Sequence, residues 1–391
     1  MLLKKISTTL SLIALIITGL SCESGYITKK NTGAVKEAQE YALSQLRESL
    51  DEIPLGKFPI RTKGLGEWEL TNPDAWTSGF YPGCLWLAYQ LSNDPFWIEH
   101  AVKYTEQLEE QQYNTHTHDI GFMMLNSYGN ALLYNDNEKY KNIVLQSAKS
   151  LATRFNEKVG CIQSWDGEYQ VIIDNMMNLD ILFWAAKNGG GSALYDIAVA
   201  HANKTIKEHL RDDGSSFHVV VYDMATGEVK EKRTAQGYSD NSAWARGQAW
   251  GTYGFTVCFR ETKDETYLNT AIKMADYFIE HLPADGIPYW DLTLPDNSEK
   301  KYKDASAAAI FVSALLELRE YVDNPQKYDE VIENMLGILI DDYLSAGTES
   351  NGILLHCAYN ANSENPYDWD AATSWGDYYF LEAIKRYLQM N

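Results

Sequence analysis

The chain has 391 residues, 45% of them hydrophobic and 22% charged. That balance supports a sizeable core and excludes a largely disordered chain. Its 33 Lys+Arg against 54 Asp+Glu give a net charge of -21, which repels nucleic acid and anionic membrane surfaces.

Lys4 and Lys5 precede an apolar run over 10–20, followed by Ser21-Cys22. The run is short for a membrane span and has the layout of a secretory signal. Cys22 after a small residue fits a bacterial lipobox, in which the cysteine is lipidated. Residues 1–22 are therefore expected to be a lipoprotein signal peptide with its lipidated cysteine, 23–33 a polar tether, and 34–391 a single catalytic domain. The expected location is the periplasm or cell envelope of a Gram-negative bacterium, with membrane contact only through the lipid anchor. An ordinary cleaved signal with an incidental cysteine is the alternative. Cys84, Cys161, Cys258 and Cys357 are widely spaced; no zinc or redox spacing links them, and buried free thiols are the simplest reading.

Apolar periodicity and flanking breakers predict about twelve helices, over 34–53, 79–92, 95–112, 119–134, 137–156, 174–188, 192–210, 242–260, 264–281, 304–322, 325–343 and 375–389. The stretch 264–281 shows the amphipathic kind: Leu268, Ile272, Ala275, Ile279 and Leu282 form one stripe among acids, as a surface helix requires. Alternate stretches carry fewer charges and open on Gly, Trp, Asn or Asp, as at 78–83, 118–121, 174–177, 241–248, 304–308 and 374–378. Apolar helices rich in small residues pack inside, and amphipathic ones outside. The weak repeat predicts an all-α fold, an (α/α)6 barrel of six helical hairpins, with the inner helix starts gathered at one end. An irregular α-solenoid is the alternative. Between helices, 157–172, 211–240, 283–303 and 344–374 are long loops, with a possible hairpin at 217–222 turning at Thr226-Gly227.

Two acids stand at inner helix starts, Asp119 in His118-Asp119-Ile120-Gly121-Phe122 and Asp174 in Ile173-Asp174-Asn175-Met176-Met177-Asn178. Each alone reads as a helix cap worth about 1 kcal/mol. On one barrel mouth, however, they face each other. Two close carboxylates push one pKa up, and Asp174 among methionines is the one expected to keep its proton. Paired acids with Trp76, Trp165, Trp244 and Trp250 as stacking surfaces suit chemistry on sugars. Arg246, inside an apolar helix, needs an anion: either Asp240 or another inner acid, or a substrate carboxylate. His218, Gln236 and Tyr238 are polar groups on the adjoining loop. His116 and His118 could chelate, but no second cluster completes a tetrahedral site, so no metal is expected.

At these residues the chain resembles family 88 of the glycoside hydrolases, the unsaturated glucuronyl hydrolases. The motifs are Trp-Thr-Ser-Gly-Phe-Tyr-Pro-Gly at 76–83, His-Asp-Ile-Gly-Phe at 118–122, Ser-Trp at 164–165, Ile-Asp-Asn-Met-Met-Asn-Leu at 173–179, Gln-Gly-Tyr-Ser-Asp-Asn-Ser-Ala-Trp-Ala-Arg-Gly-Gln-Ala-Trp at 236–250 and Trp-Gly-Asp-Tyr-Tyr-Phe-Leu-Glu-Ala at 375–383. The resemblance implies an (α/α)6 barrel acting on lyase-generated oligosaccharides that end in a 4,5-unsaturated glucuronate, by hydration of the C4=C5 enol ether. It puts the proton donor on Asp174 and the second essential carboxylate on Asp119. His218, Gln236 and Arg246 match contacts to the uronate, and the four tryptophans match aromatic walls. No metal or organic cofactor is implied. Of a Ser-x-x-Ser-x-Lys pattern tied to sulfate on the second sugar, only Ser363 is kept, so glycosaminoglycan type and sulfation stay open. A family 105 rhamnogalacturonyl activity and a non-catalytic sugar-binding lipoprotein are the rival readings.

Overall fold

The computed structural model describes residues 31–63 and 66–390; the expected signal peptide and Cys22 lie outside them. The helices are α1 (Thr32–Glu52), α2 (Phe80–Ser92), α3 (Phe96–Glu106), α4 (Ile120–Met124), α5 (Asn130–Leu132), α6 (Glu138–Ala152), α7 (Asn175–Asn178), α8 (Asp180–Ala185), α9 (Ser192–His209), α10 (Ala245–Thr262), α11 (Glu265–Glu280), α12 (Ala305–Leu318), α13 (Gln326–Asp342) and α14 (Ser374–Gln389). The strands are β1 (Phe58–Thr62), β2 (Trp68–Thr71), β3 (Phe155–Asn156), β4 (Cys161–Ile162), β5 (Gln170–Ile172), β6 (Val219–Tyr222) and β7 (Val229–Arg233).

Inner helices close a ring. α2 packs on the α4–α5 segment, α4 on α7, α7 on α10, α10 on α12, α12 on α14, and α14 back on α2. The sequence dictates which helices go inside. α12, Ala-Ser-Ala-Ala-Ala-Ile-Phe-Val-Ser-Ala-Leu-Leu-Glu-Leu, is buried along its whole length, because small residues let neighbours approach from every side. α11 buries one face, from Tyr267 and Leu268 through Thr270, Ala271, Met274 and Ala275 to Tyr277 and Phe278, and belongs to the outer layer. This is the expected (α/α)6 barrel.

Three expected helices are broken; the 95–112 stretch stops as α3 at Glu106 and resumes as a 3-10 turn at Glu109–Tyr113. The 119–134 stretch passes through a π-turn at Leu125–Gly129, and the 174–188 stretch divides into α7, α8 and a π-turn at Ala186–Gly190. α1 begins at Thr32, inside the stretch expected to be a tether, and Asn31 Nδ2 donates to the Glu333 carbonyl at 2.6 Å. The hairpin at 217–222 exists as β6–β7, but β5 from the supposed loop 157–172 joins it as a third antiparallel strand, pairing Val171 with Val220. The β1–β2 hairpin was not anticipated either. All four described cysteines are buried free thiols.

Candidate active site

The starts of the inner helices and the long loops enclose one cleft of about 300 Å³. Trp76, Asp119, Trp165, Asp174, Gln236, Trp244 and Arg246 line it, together with His118, Ile172, Ala235, Tyr359, Asn360 and Asp368.

Close packing brings the two acids together. A Cβ on Gly121 would fall 2.7 Å from Asn178 Cα, so α4 meets α7 more tightly than any side chain would permit. Asn178 Oδ1 then accepts from Phe122 N at 2.9 Å. Ser164 ties both helix starts to one point. Its carbonyl accepts from His118 Nδ1 at 2.9 Å, while its hydroxyl donates to Asn175 Oδ1 at 2.7 Å and accepts from Ile172 N at 2.8 Å. The Ser-Trp pair at 164–165 thus fixes the neighbours of both acids and sets Trp165 beside them.

Neither acid caps its own helix. Asp119 Oδ2 accepts from Thr117 Oγ1 at 2.9 Å, and Oδ1 lies 3.2 Å from His118 Nε2. Among the described residues, Asp174 Oδ2 has no hydrogen-bond partner. Burial pushes Asp174 up to about 7, with the charge of Asp119 acting in the same direction and Arg246 against it. A carboxyl group that titrates near neutrality beside a second acid is an acid/base pair in waiting.

His218 stands behind the cleft and not in its wall. It stacks on Trp244, with centroids 4.3 Å apart, and burial followed by the charge of Arg246 pulls it down to about 3. Its Nδ1 accepts from Ala235 N and Gln236 N, each at 3.2 Å. The neutral ring therefore carries its hydrogen on Nε2, which lies 3.8 Å from Asp174 Oδ2. No hydrogen bond joins the two at that separation, and the ring, expected to touch a uronate, lies buried outside the cleft lining.

Arg246 finds the inner acid that was one of its expected partners. It is 1% exposed, and its guanidinium donates to Asp304 Oδ2 at 2.9 Å, to the Ala358 carbonyl, and to the Tyr359 carbonyl at 2.7 Å. The inner acid that balances it is Asp304, not Asp240, whose Oδ1 accepts from Thr234 N at 2.9 Å. Arg246 thus holds the 358–359 wall in place and lends the cleft a positive field. Trp250 does not reach the cleft. It lies five residues beyond the start of α10 at Ala245, roughly 7 Å down the axis, where it packs on Phe122 and Tyr379 with centroids 5.0 and 5.1 Å away. Ser363 also lies outside the lining; its hydroxyl accepts from Asn365 N at 3.1 Å within its own turn. The rings of His116 and His118 take different partners, Asp166 for the first and Ser164 with Asp119 for the second.

Asp304, Tyr359, Asn360 and Asp368 were not anticipated as site residues. Asp304 had a cue, an acid opening an apolar helix as Asp119 and Asp174 do. Asp368 ends a short 3-10 turn, Pro366–Asp368, and is recognisable only through its 2.8 Å contact with buried Arg61.

A helical barrel whose mouth joins two acids of unlike environment between tryptophan walls defines a carbohydrate-active hydrolase. The family model of Glycosyl Hydrolase Family 88 matches residues 56–390. The chain belongs to that family and is a glycoside hydrolase of the unsaturated glucuronyl type. It is 43% identical over 319 residues to an unsaturated glucuronyl hydrolase of Formosa agariphila, covering 80% of this chain and 79% of the relative. It is similar to the crystal structure of an unsaturated glucuronyl hydrolase specific for heparin, at TM-score 0.87 and 40% identity, covering 91% and 97% of the two chains. An Asp→Asn variant of the Streptococcus agalactiae enzyme complexed with dGlcA-GalNAc6S is similar at TM-score 0.77 and 30% identity, covering 93% of each chain.

Proposed function

We propose that this cleft hydrates the C4=C5 bond of a 4,5-unsaturated glucuronate at the non-reducing end of lyase-generated glycosaminoglycan fragments. Asp174 donates its proton to C4; its O–H bond breaks and a C4–H bond forms. Positive charge develops over C5 and the ring oxygen, and the Asp119 carboxyl group faces it. Water adds at C5 and returns a proton to Asp174. The hemiketal opens, and the neighbouring sugar leaves. Trp76, Trp165 and Trp244 bound the sugar ring.

The observation that carries this reading is the meeting of Asp119 and Asp174 in one cleft, with Asp174 raised to about 7. At that value a large share of the enzyme holds the acidic proton at neutral pH. Heparin- and chondroitin-type fragments are both reasonable substrates, given the ligands of the relatives. Ser363, held within its own turn, gives no sign of a strong demand for sulfate on the second sugar. The test follows the ultraviolet absorbance of the substrate double bond across unsaturated disaccharides that differ in linkage and sulfation. Absorbance decays with the cognate disaccharide; binding without decay would leave a sugar-binding protein only. Export as a lipoprotein through Cys22 is part of the same proposal. Its check is incorporation of labelled fatty acid that Cys22→Ala abolishes.

A further inference from the structure

We infer that His201 and His209, two buried histidines of the outer helix α9, are positioning residues for Asp174, each bolting one side of the 171–175 segment to that helix. Their effect on rate rests on the proposed reaction; their hold on the segment does not. The pattern of α9 is unusual. An outer helix needs one apolar stripe. The buried stripe of α9 starts in that way, with Leu194 and Ala198, and then runs through His201, Thr205 and His209 at four-residue steps. His201 and His209 are both 0% exposed. Leucine would satisfy packing at either place. A buried imidazole costs desolvation of its nitrogens and adds hydrogen bonds that leucine cannot make.

Those bonds go to the backbone on either side of Asp174. Ile162 N donates to His201 Nδ1 at 3.0 Å, so the neutral ring carries its hydrogen on Nε2. The carbonyl of the same Ile162 accepts from Asn175 Nδ2 at 2.9 Å, and Asn175 directly follows Asp174. His209 works from the other side. A carbonyl oxygen only accepts, so His209 Nε2, 3.1 Å from the Val171 carbonyl, is the donor. Val171 lies in β5, just ahead of Asp174. The carbonyl of His209 also accepts from Phe217 N at 2.8 Å, and that of His218, next in the chain, accepts from Ile173 N at 3.0 Å. The Asp174 side chain makes no cap bond, so the backbone that carries it sets where its carboxyl group stands.

The two rings offer different groups, one an acceptor at Nδ1 and the other a donor at Nε2. Both are held neutral. Burial pulls His201 down to about 3, with His209 and His118 acting in the same direction. Burial also pulls His209 down to about 4, against its bond to Val171. Neutral rings keep the donor and acceptor roles fixed at neutral pH. Losing either bond frees one end of the segment. Asp174 then loses part of the burial that raises its pKa, and its carboxyl group drifts from its place in the cleft. A misplacement of about 1 Å is enough to cost about a hundredfold in rate.

The test uses the different reach of two amides. Asparagine sets its Oδ1 near the place of an imidazole Nδ1, and glutamine sets its Nε2 near that of an imidazole Nε2. His201→Asn and His209→Gln therefore keep the two bonds, whereas His201→Leu and His209→Leu remove them and keep an apolar stripe. In the substrate-free enzyme, NMR follows the titration of [13Cγ]aspartate, with the Asp174 signal assigned by its loss in Asp174→Asn. Its midpoint is expected to fall by about half a pH unit or more in each Leu variant and to stay in place in the amide variants. In the double-bond assay, the Leu variants are expected to lose about tenfold or more in kcat with KM changed less than about threefold. The amide variants should keep kcat within about threefold of wild type. An unmoved midpoint or an unchanged kcat in the folded Leu variants overturns the inference. So does a folded amide variant that loses as much as its Leu counterpart, a comparison with wild type that remains if the Leu variants fail to fold. A wild type that leaves the double bond intact would remove the proposed reaction, while the titration would still report the hold on Asp174.

Discussion

Asp174 at the cleft mouth and Asp377 at the opposite wall of α14 are both pushed up to about 7 by burial, yet only one of them can do chemistry. Asp377 faces a gap of about 10 Å³, room for one water at most. Its oxygens accept from Ile353 N at 3.1 Å and Leu354 N at 2.9 Å, so it fastens the 353–354 loop to the barrel. Asp174 lines a cleft of about 300 Å³ and, among the described residues, has Oδ2 free of any partner. A perturbed pKa marks burial in both regions; access and an unspent oxygen separate a reagent from a fastener.

The widest divergence is in rate. Asp174→Asn is expected to lower kcat by roughly a thousandfold, the range of a lost general acid, while the fold stays intact. The pH dependence sharpens this. A carboxyl group held at about 7 in the folded protein, against the ordinary aspartate value of 3.8, binds its proton more tightly when folded. Stability from this group is therefore full below about 4 and falls as pH rises to about 7, by at most roughly 4 kcal/mol. Asp174→Asn removes that fall, so its melting temperature relative to wild type should climb over this window. A flat difference would mean Asp174 is ionised throughout, and the acid role would be lost with it.

Arg246→Ala comes next and acts on stability first. It leaves Asp304, 0% exposed, as an uncompensated buried charge, which costs about 3–5 kcal/mol. Chemical denaturation should show that loss, with kcat falling as the 358–359 wall loosens. Full stability with a raised KM alone would restore the simple carboxylate clamp. Asp377→Asn should cost about 1–3 kcal/mol, because an amide has one accepting oxygen where two are used, and kcat should hold within a few-fold. A catalytic collapse in Asp377→Asn would erase the contrast between the two aspartates.

The helices were legible because their signal is local. The stripe of α11 and the small-residue runs of α12 fix layer and length from neighbours a turn away. The pairing of the acids was legible because both open inner helices, and a closed barrel leaves one place for such starts to meet. What escaped depends on distant partners. β1 and β2 are short, and β1 is tied to the far end of the chain through an Arg61–Thr373 bridge. β5 is defined by β6, nearly fifty residues on. Asp304 became the partner of Arg246 through the closure of α10 on α12, which no sequence spacing encodes. Trp250 was misplaced for a simpler reason: a motif records order along the chain and not depth along a helix.

The smallest effect separates caps from reagents. Asp264 opens the outer helix α11, and its side chain accepts from Thr266 N at 2.8 Å. This is the bland role that position alone suggests for Asp119 and Asp174, and neither of them performs it. Asp264→Ala should therefore cost about 1 kcal/mol, seen as a shift of about one degree in melting temperature, with kcat and KM unchanged. The corresponding loss of a cap cannot occur at Asp119, since no cap bond exists there to lose. If Asp119→Ala and Asp264→Ala destabilised equally and by the same mechanism, Asp119 would be a cap after all. An acid at a helix start is informative only when its carboxyl group turns away from its own helix.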